Sequence, residues 1–87
     1  MISPTSRQYS TSDTPLAAYL ICQGFTLEEI DYSQFRYEFK FTNDSAQLQE
    51  HARLYITGKA LVDPSTFTRV NRKITHLLKN QLQWEGG

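Results

Sequence analysis

Phe35-Arg36-Tyr37-Glu38-Phe39-Lys40-Phe41 is the stretch on which the fold turns. Aromatic residues hold every second position and charged residues the positions between them. A side-chain period of two belongs to a β-strand, so the four rings share one face and the three charges the other. Each large ring buries on the order of 150–250 Å² when covered, which makes this face core material. Exposed rings on a sheet, ringed by cations, can stack the bases of a single-stranded nucleic acid. Here the phenylalanines are the obvious material for a core, and the strand is assigned to it.

Upstream, Phe25, Leu27, Ile30 and Tyr32 suit a second strand. Their alternation slips at Glu28-Glu29, which predicts a bulge or an edge strand. Ser33-Gln34 turns the chain, and the two strands form an antiparallel hairpin. Thr14-Pro15 reads as a helix N-cap followed by proline in the first helical position. Leu16, Ala17, Tyr19 and Leu20 follow at helical spacing, and Gly24 supplies a left-handed stop, so a first helix is expected from about Pro15 to Gln23. Residues 1–13, rich in Ser and Thr, read as a flexible tail.

Downstream, Asn43-Asp44-Ser45 offers capping oxygens, with Gln47 three residues after Asp44 as in a capping box. Leu48, Ala52, Tyr55 and Ile56 form the apolar stripe of a second helix that Gly58 ends. Ala60-Leu61-Val62 is a short apolar connector, with a third strand against the hairpin as one option. Asp63-Pro64 repeats the cap-and-proline signal, and a third helix is expected to run to about Trp84. At 100° per residue, Phe67, Val70, Ile74, Leu77, Leu78 and Trp84 fall within about 120° of one another. Arg69, Arg72, Lys73, His76 and Lys79 cluster on the opposite side.

The expected architecture is therefore a single small α+β domain over residues 14–85, in the order helix-strand-strand-helix-helix, with an antiparallel hairpin packed on helices. Residues 86–87 form a short C-terminal tail. A chain of 87 residues holds one core and buries roughly 60–65% of the surface its unfolded form exposes. The single cysteine excludes an intramolecular disulfide framework. The start of the chain has no apolar signal-peptide run, and nothing approaches the roughly 20 apolar residues of a membrane span. A cytoplasmic protein is the expectation.

The overall charge is zero, but it is unevenly placed. Residues 1–58 carry four basic side chains against seven acidic ones, and residues 59–87 five against two. Phosphate binding needs several positive groups in line, and a helix places residues three and four apart on one side. Arg69, Arg72, Lys73, His76 and Lys79 meet that spacing, and Asn71 and Asn80 lie close enough in sequence to add hydrogen bonds. A solvated polar face is the plain alternative. The lack of any acidic residue between Asp63 and Glu85 favours contact with nucleic acid or another polyanion.

Other candidates carry less. His51 and His76 fall on different helices with no Cys or carboxylate at metal-ligand spacing, so both are read as surface residues and no metal is expected. Cys22 lies beside the first helix's apolar stripe and reads as an inert thiol. Glu28, Glu29 and Asp31 point to opposite faces of a strand, where acidic residues discourage edge pairing. There is no nucleophile elbow and no glycine-rich phosphate loop, so neither an enzyme nor a cofactor is expected. The terminal Gly86-Gly87 is similar to the tail of ubiquitin-like modifiers, but it follows a helix and not a β-grasp strand.

The combination of Leu16-Ala17-Ala18-Tyr19-Leu20, Gly24, the Phe39 and Phe41 strand, Tyr55, Gly58 and Val62-Asp63-Pro64 with Phe67 resembles a family of short, uncharacterised bacterial and phage proteins. That family is a domain of unknown function, and the resemblance spans about Thr14 to Leu82. It brings no catalytic residues. It implies a phage or mobile-element setting, where small accessory proteins bind nucleic acid or other proteins. The leading expectation is an accessory protein that contacts nucleic acid or a nucleoprotein complex through Arg69, Arg72, Lys73, His76 and Lys79. The alternative is a protein–protein interaction module, a subunit or inhibitor of a larger assembly, docking through the first helix or through the Tyr55–Val62 connector, with Tyr55 and Lys59 as contacts, without touching nucleic acid.

Overall fold

Only the second half of the alternating stretch pairs as a strand. The computed structural model describes residues 8–33, 35–42 and 45–84. Expectations that fall on residues 1–7, Gln34, Asn43, Asp44 and 85–87 lie outside the described residues. The chain runs β1 (Tyr9–Thr11), α1 (Thr14–Cys22), β2 (Leu27–Asp31), β3 (Glu38–Phe41), α2 (Ala46–Ile56) and α3 (Pro64–Asn80). This is the expected order with one strand added in front. The stretch read as a tail contains Tyr9–Thr11, which pairs antiparallel with β3 so that Tyr9 faces Phe41 and Thr11 faces Phe39. The sheet order is β1-β3-β2. A two-stranded ribbon is marginal in water, and the third strand gives β3 a partner on each side. The Ala60-Leu61-Val62 connector is not a strand.

Strand β2 bulges where its alternation slips. The register shifts between Leu27 and Glu29, with Leu27 opposite Phe41 and Ile30 opposite Phe39. The extra residue lets Leu27 and Ile30, three apart, both turn to the core, where they are 3% and 1% exposed. Phe39 and Phe41 are fully buried beside them. Phe35 is 103% exposed and Tyr37 36%, so two of the four rings leave the core. The physical reason is the length of the partner. Asp31 opposite Glu38 is the last β2–β3 pair, and nothing holds Phe35 in a strand beyond it. Tyr37 instead packs edge-on against Phe39 at 5.5 Å and shares a 3.1 Å hydrogen bond with the Thr14 hydroxyl. On the sheet's other face Lys40 pairs with Asp31 at 3.4 Å.

Helix α1 is buried over five consecutive residues, Leu16 to Leu20, and packs against α2 and α3. A helix apolar on every side belongs at the centre of a domain. Its N-cap is Asp13, one residue earlier than the Thr14 reading, because the Asp13 carboxylate accepts the Leu16 N–H at 3.1 Å. Gly24, at φ +96°, ends it: Phe25 N–H donates to Leu20 C=O and Gly24 N–H to Ile21 C=O, a Schellman closure. Gly58, at φ +78°, closes α2 in the same way, with Lys59 N–H donating to Leu54 C=O and Gly58 N–H to Tyr55 C=O. The α2 N-cap is Ser45, whose hydroxyl accepts Leu48 N–H at 3.1 Å. Leu48 and Ala52 are buried, but Ile56, assigned to the same stripe, is 69% exposed.

His51 is not a surface residue. It is half-buried, its ring lies 5.5 Å from Phe25, and its Nδ1 shares a 3.1 Å hydrogen bond with the hydroxyl of buried Tyr19. Burial pushes the Tyr19 phenol pKa up.

Candidate nucleic-acid interface

Helix α3 carries the cationic residues, and its fold begins at Asp63. The Asp63 carboxylate accepts Thr66 N–H at 2.8 Å, with Pro64 in the first helical position. Hydrogen bonds from the Thr66 backbone, then from the Thr66 and Ser65 hydroxyls, hold this carboxyl below its ordinary pKa. The buried side of the helix is Val70, Ile74 and Leu77, at i, i+4 and i+7, with Phe67 and Leu78 packed beside them.

The helix stops at Asn80, not at Trp84. Gln81 takes the left-handed conformation at φ +53°, and Leu82 N–H donates back to Leu77 C=O at 2.9 Å. What wins against a longer helix is the sheet edge. The Gln83 side-chain amide accepts Ile30 N–H at 2.7 Å and donates to Ile30 C=O at 2.8 Å, pairing with β2 as a strand would. The Tyr32 hydroxyl lies 3.0 Å from Leu77 C=O and 2.5 Å from Leu82 C=O. These bonds turn the chain back and bring Trp84 under α3, where Lys73 Nζ sits 4.6 Å above its ring. A cation–π contact of this kind is worth about 0.5–1 kcal/mol at an exposed site.

Arg69, Arg72, Lys73, His76 and Lys79 are all exposed. Among the described residues the ion pairs are Lys40–Asp31 and Arg53–Glu50, so none of the five is neutralised by one. They do not form one uniform patch. Arg69 and Lys73 edge a cleft of about 350 Å³ between α3, the end of α1 and Trp84, with Cys22, Phe25 and Val70 in its walls. Arg72, His76 and Lys79 line a shallow groove on the helix's other flank, together with Asn71. Asn80 is turned inward on its own helix, donating to His76 C=O at 3.0 Å. Asn71 Oδ1 is buried and has no hydrogen-bond partner among the described residues.

The cleft, with its two aromatic walls, is the feature that sequence reading missed. Its signal lay in Gln81 to Trp84, hidden as long as these residues are placed in the helix. Cys22 is half-buried there; burial raises its thiol pKa, Arg69 draws it back and Asp63 adds to the rise. The other proposed contact residues stand apart from the cations. Tyr55 is half-buried, its ring 5.5 Å from Tyr19, and it lines a small pocket together with Val62 and Phe67. Burial and then Asp13 push its phenol up. Lys59 is exposed in the turn after α2. No group of three or more His, Cys, Asp or Glu placed to hold a metal occurs among the described residues. No helix among them is long and apolar enough to cross a membrane.

The fold and this surface define a small α+β domain with a two-faced C-terminal helix. The chain belongs to the family of the domain of unknown function DUF5659, whose model matches residues 6–80. That match includes β1 and ends with α3. No curated protein and no solved structure matches the chain.

Proposed function

We propose that this protein is a non-enzymatic accessory module that binds nucleic acid, alone or within a nucleoprotein complex, through the exposed side of α3. The observation that carries the reading is the run of Arg69, Arg72, Lys73, His76 and Lys79, all exposed, none ion-paired among the described residues, on a segment without an acidic side chain from residue 64 to 84. Exposed cations on a helix attract phosphates and release their condensed counterions, largely without regard to sequence. The setting that suits such a module is the cytoplasm, in a phage or mobile-element context. Fluorescence anisotropy of labelled DNA across a salt series tests this. Five contacts give a log–log slope of up to about −4 to −5 on duplex DNA. A flat response to salt overturns the reading.

A second reading has its own observation. Ile56 and Leu61, 69% and 88% exposed on either side of the turn after α2, are large apolar residues left in water. They support a protein-interaction surface better than Tyr55, which is largely packed. A partner that co-purifies through nuclease treatment and high salt favours this reading over the first.

A further inference from the structure

We propose that the cleft beside α3 seats one unstacked base of a single-stranded nucleic acid, with Arg69 and Lys73 holding the phosphates next to it. The proposal rests on α3 being a phosphate-binding helix and goes beyond it by naming the strand form and the base site. The cleft, at about 350 Å³, falls in the range of small-ligand sites, roughly 300–1,000 Å³. Two aromatic side chains, Phe25 and Trp84, stand in its walls, with Ile21 and Val70 adding apolar surface. No carboxylate lines it, while Arg69 and Lys73 do, four residues apart and about 6 Å along the helix. An aromatic recess with cations at its edge is what single-strand binders offer, since every base has a stackable face and every linkage a negative charge. A duplex keeps its bases stacked inside and presents only its phosphates to such a surface.

Lys73 gives the site a resting state. Its ammonium covers the Trp84 ring at 4.6 Å in the free protein. When a strand arrives, a phosphate is the stronger partner for that charge, and the ring face it leaves is taken by the base. The outer row of Arg72, His76 and Lys79 then follows the strand on the helix's far flank, adding affinity without reading bases.

Trp84 is the only tryptophan, so its fluorescence reports the cleft alone. The full chain is titrated with short oligothymidylate, oligouridylate and a DNA duplex of equal length at low salt. Either single strand is expected to quench Trp84 strongly and to bind about tenfold tighter than the duplex. Which of the two quenches more identifies DNA or RNA as the source. Phe25→Leu is expected to remove most of that preference by weakening single-strand binding about tenfold. Equal binding of single strand and duplex with no change in Trp84 emission overturns the base site and leaves the phosphate-binding helix standing. Binding of neither overturns both. The emission readout uses the unaltered protein, so its outcome does not depend on how well the Phe25 variant folds.

Discussion

Helices α1 and α3 pack against each other and use their sequences in opposite ways. Helix α1 has no charged residue between Thr14 and Cys22 and buries Leu16 through Leu20 without a break. Helix α3 is nearly twice as long, buries only Val70, Ile74 and Leu77, and exposes four cations and a histidine. In α1 every side of the helix is committed to packing, so sequence and stability are one constraint. In α3 the constraint covers a single stripe, and the remaining side is free to vary in charge at little cost to the fold. Apart from Lys73 over the Trp84 ring and the field of Arg69 on Asp63, that charge takes no part in the packing, and it is the feature on which the proposed binding role rests.

Changes that separate these two roles should have effects of very different size. The largest belongs to α1. Leu20→Ala empties a fully buried position and is expected to cost about 2–5 kcal/mol, measured by urea unfolding. Acid should act on the capped ends next. The carboxyls of Asp63, at the α3 N-cap, and Asp31, held down by the Ser33 hydroxyl and N–H, lie below their ordinary pKa. Their contribution is present above about pH 4 and is lost as pH falls through the lower folded values, so a melting series should drop on that side. Tyr19→Phe removes the buried hydroxyl bonded to His51 and should cost about 1 kcal/mol. Gln81→Gly relieves a left-handed glutamine after α3 and should raise stability by about 1 kcal/mol. Smallest of all, Arg72→Gln with Lys79→Gln should shift stability by less than about 0.5 kcal/mol while weakening nucleic-acid binding.

The contrast also explains what was legible in the sequence. The α3 stripe, its Asp63-Pro64 start, the stops at Gly24 and Gly58, and the slip at Glu28-Glu29 are local signals, and each appears where its chemistry places it. Phe35 and Tyr37 misled because a period of two tells which face a residue takes, not how far its partner strand extends. Strand β1 was hidden because Tyr9-Ser10-Thr11 is too short to show a period and forms only against the free edge of β3. The position of Trp84 depends on Gln83 finding Ile30, a contact across 53 residues that no window along the chain contains. The four cations and His76 were therefore readable as a set, whereas their division between an aromatic cleft and an open groove was not.

The central claim is that α3 neutralises phosphates, and the salt dependence of binding measures that directly. Comparing the log–log slope of the wild-type chain with that of Arg72→Gln/Lys79→Gln on the same duplex should show a slope shallower by about 2 in the variant. An unchanged slope, or a wild-type affinity indifferent to salt, would contradict the account.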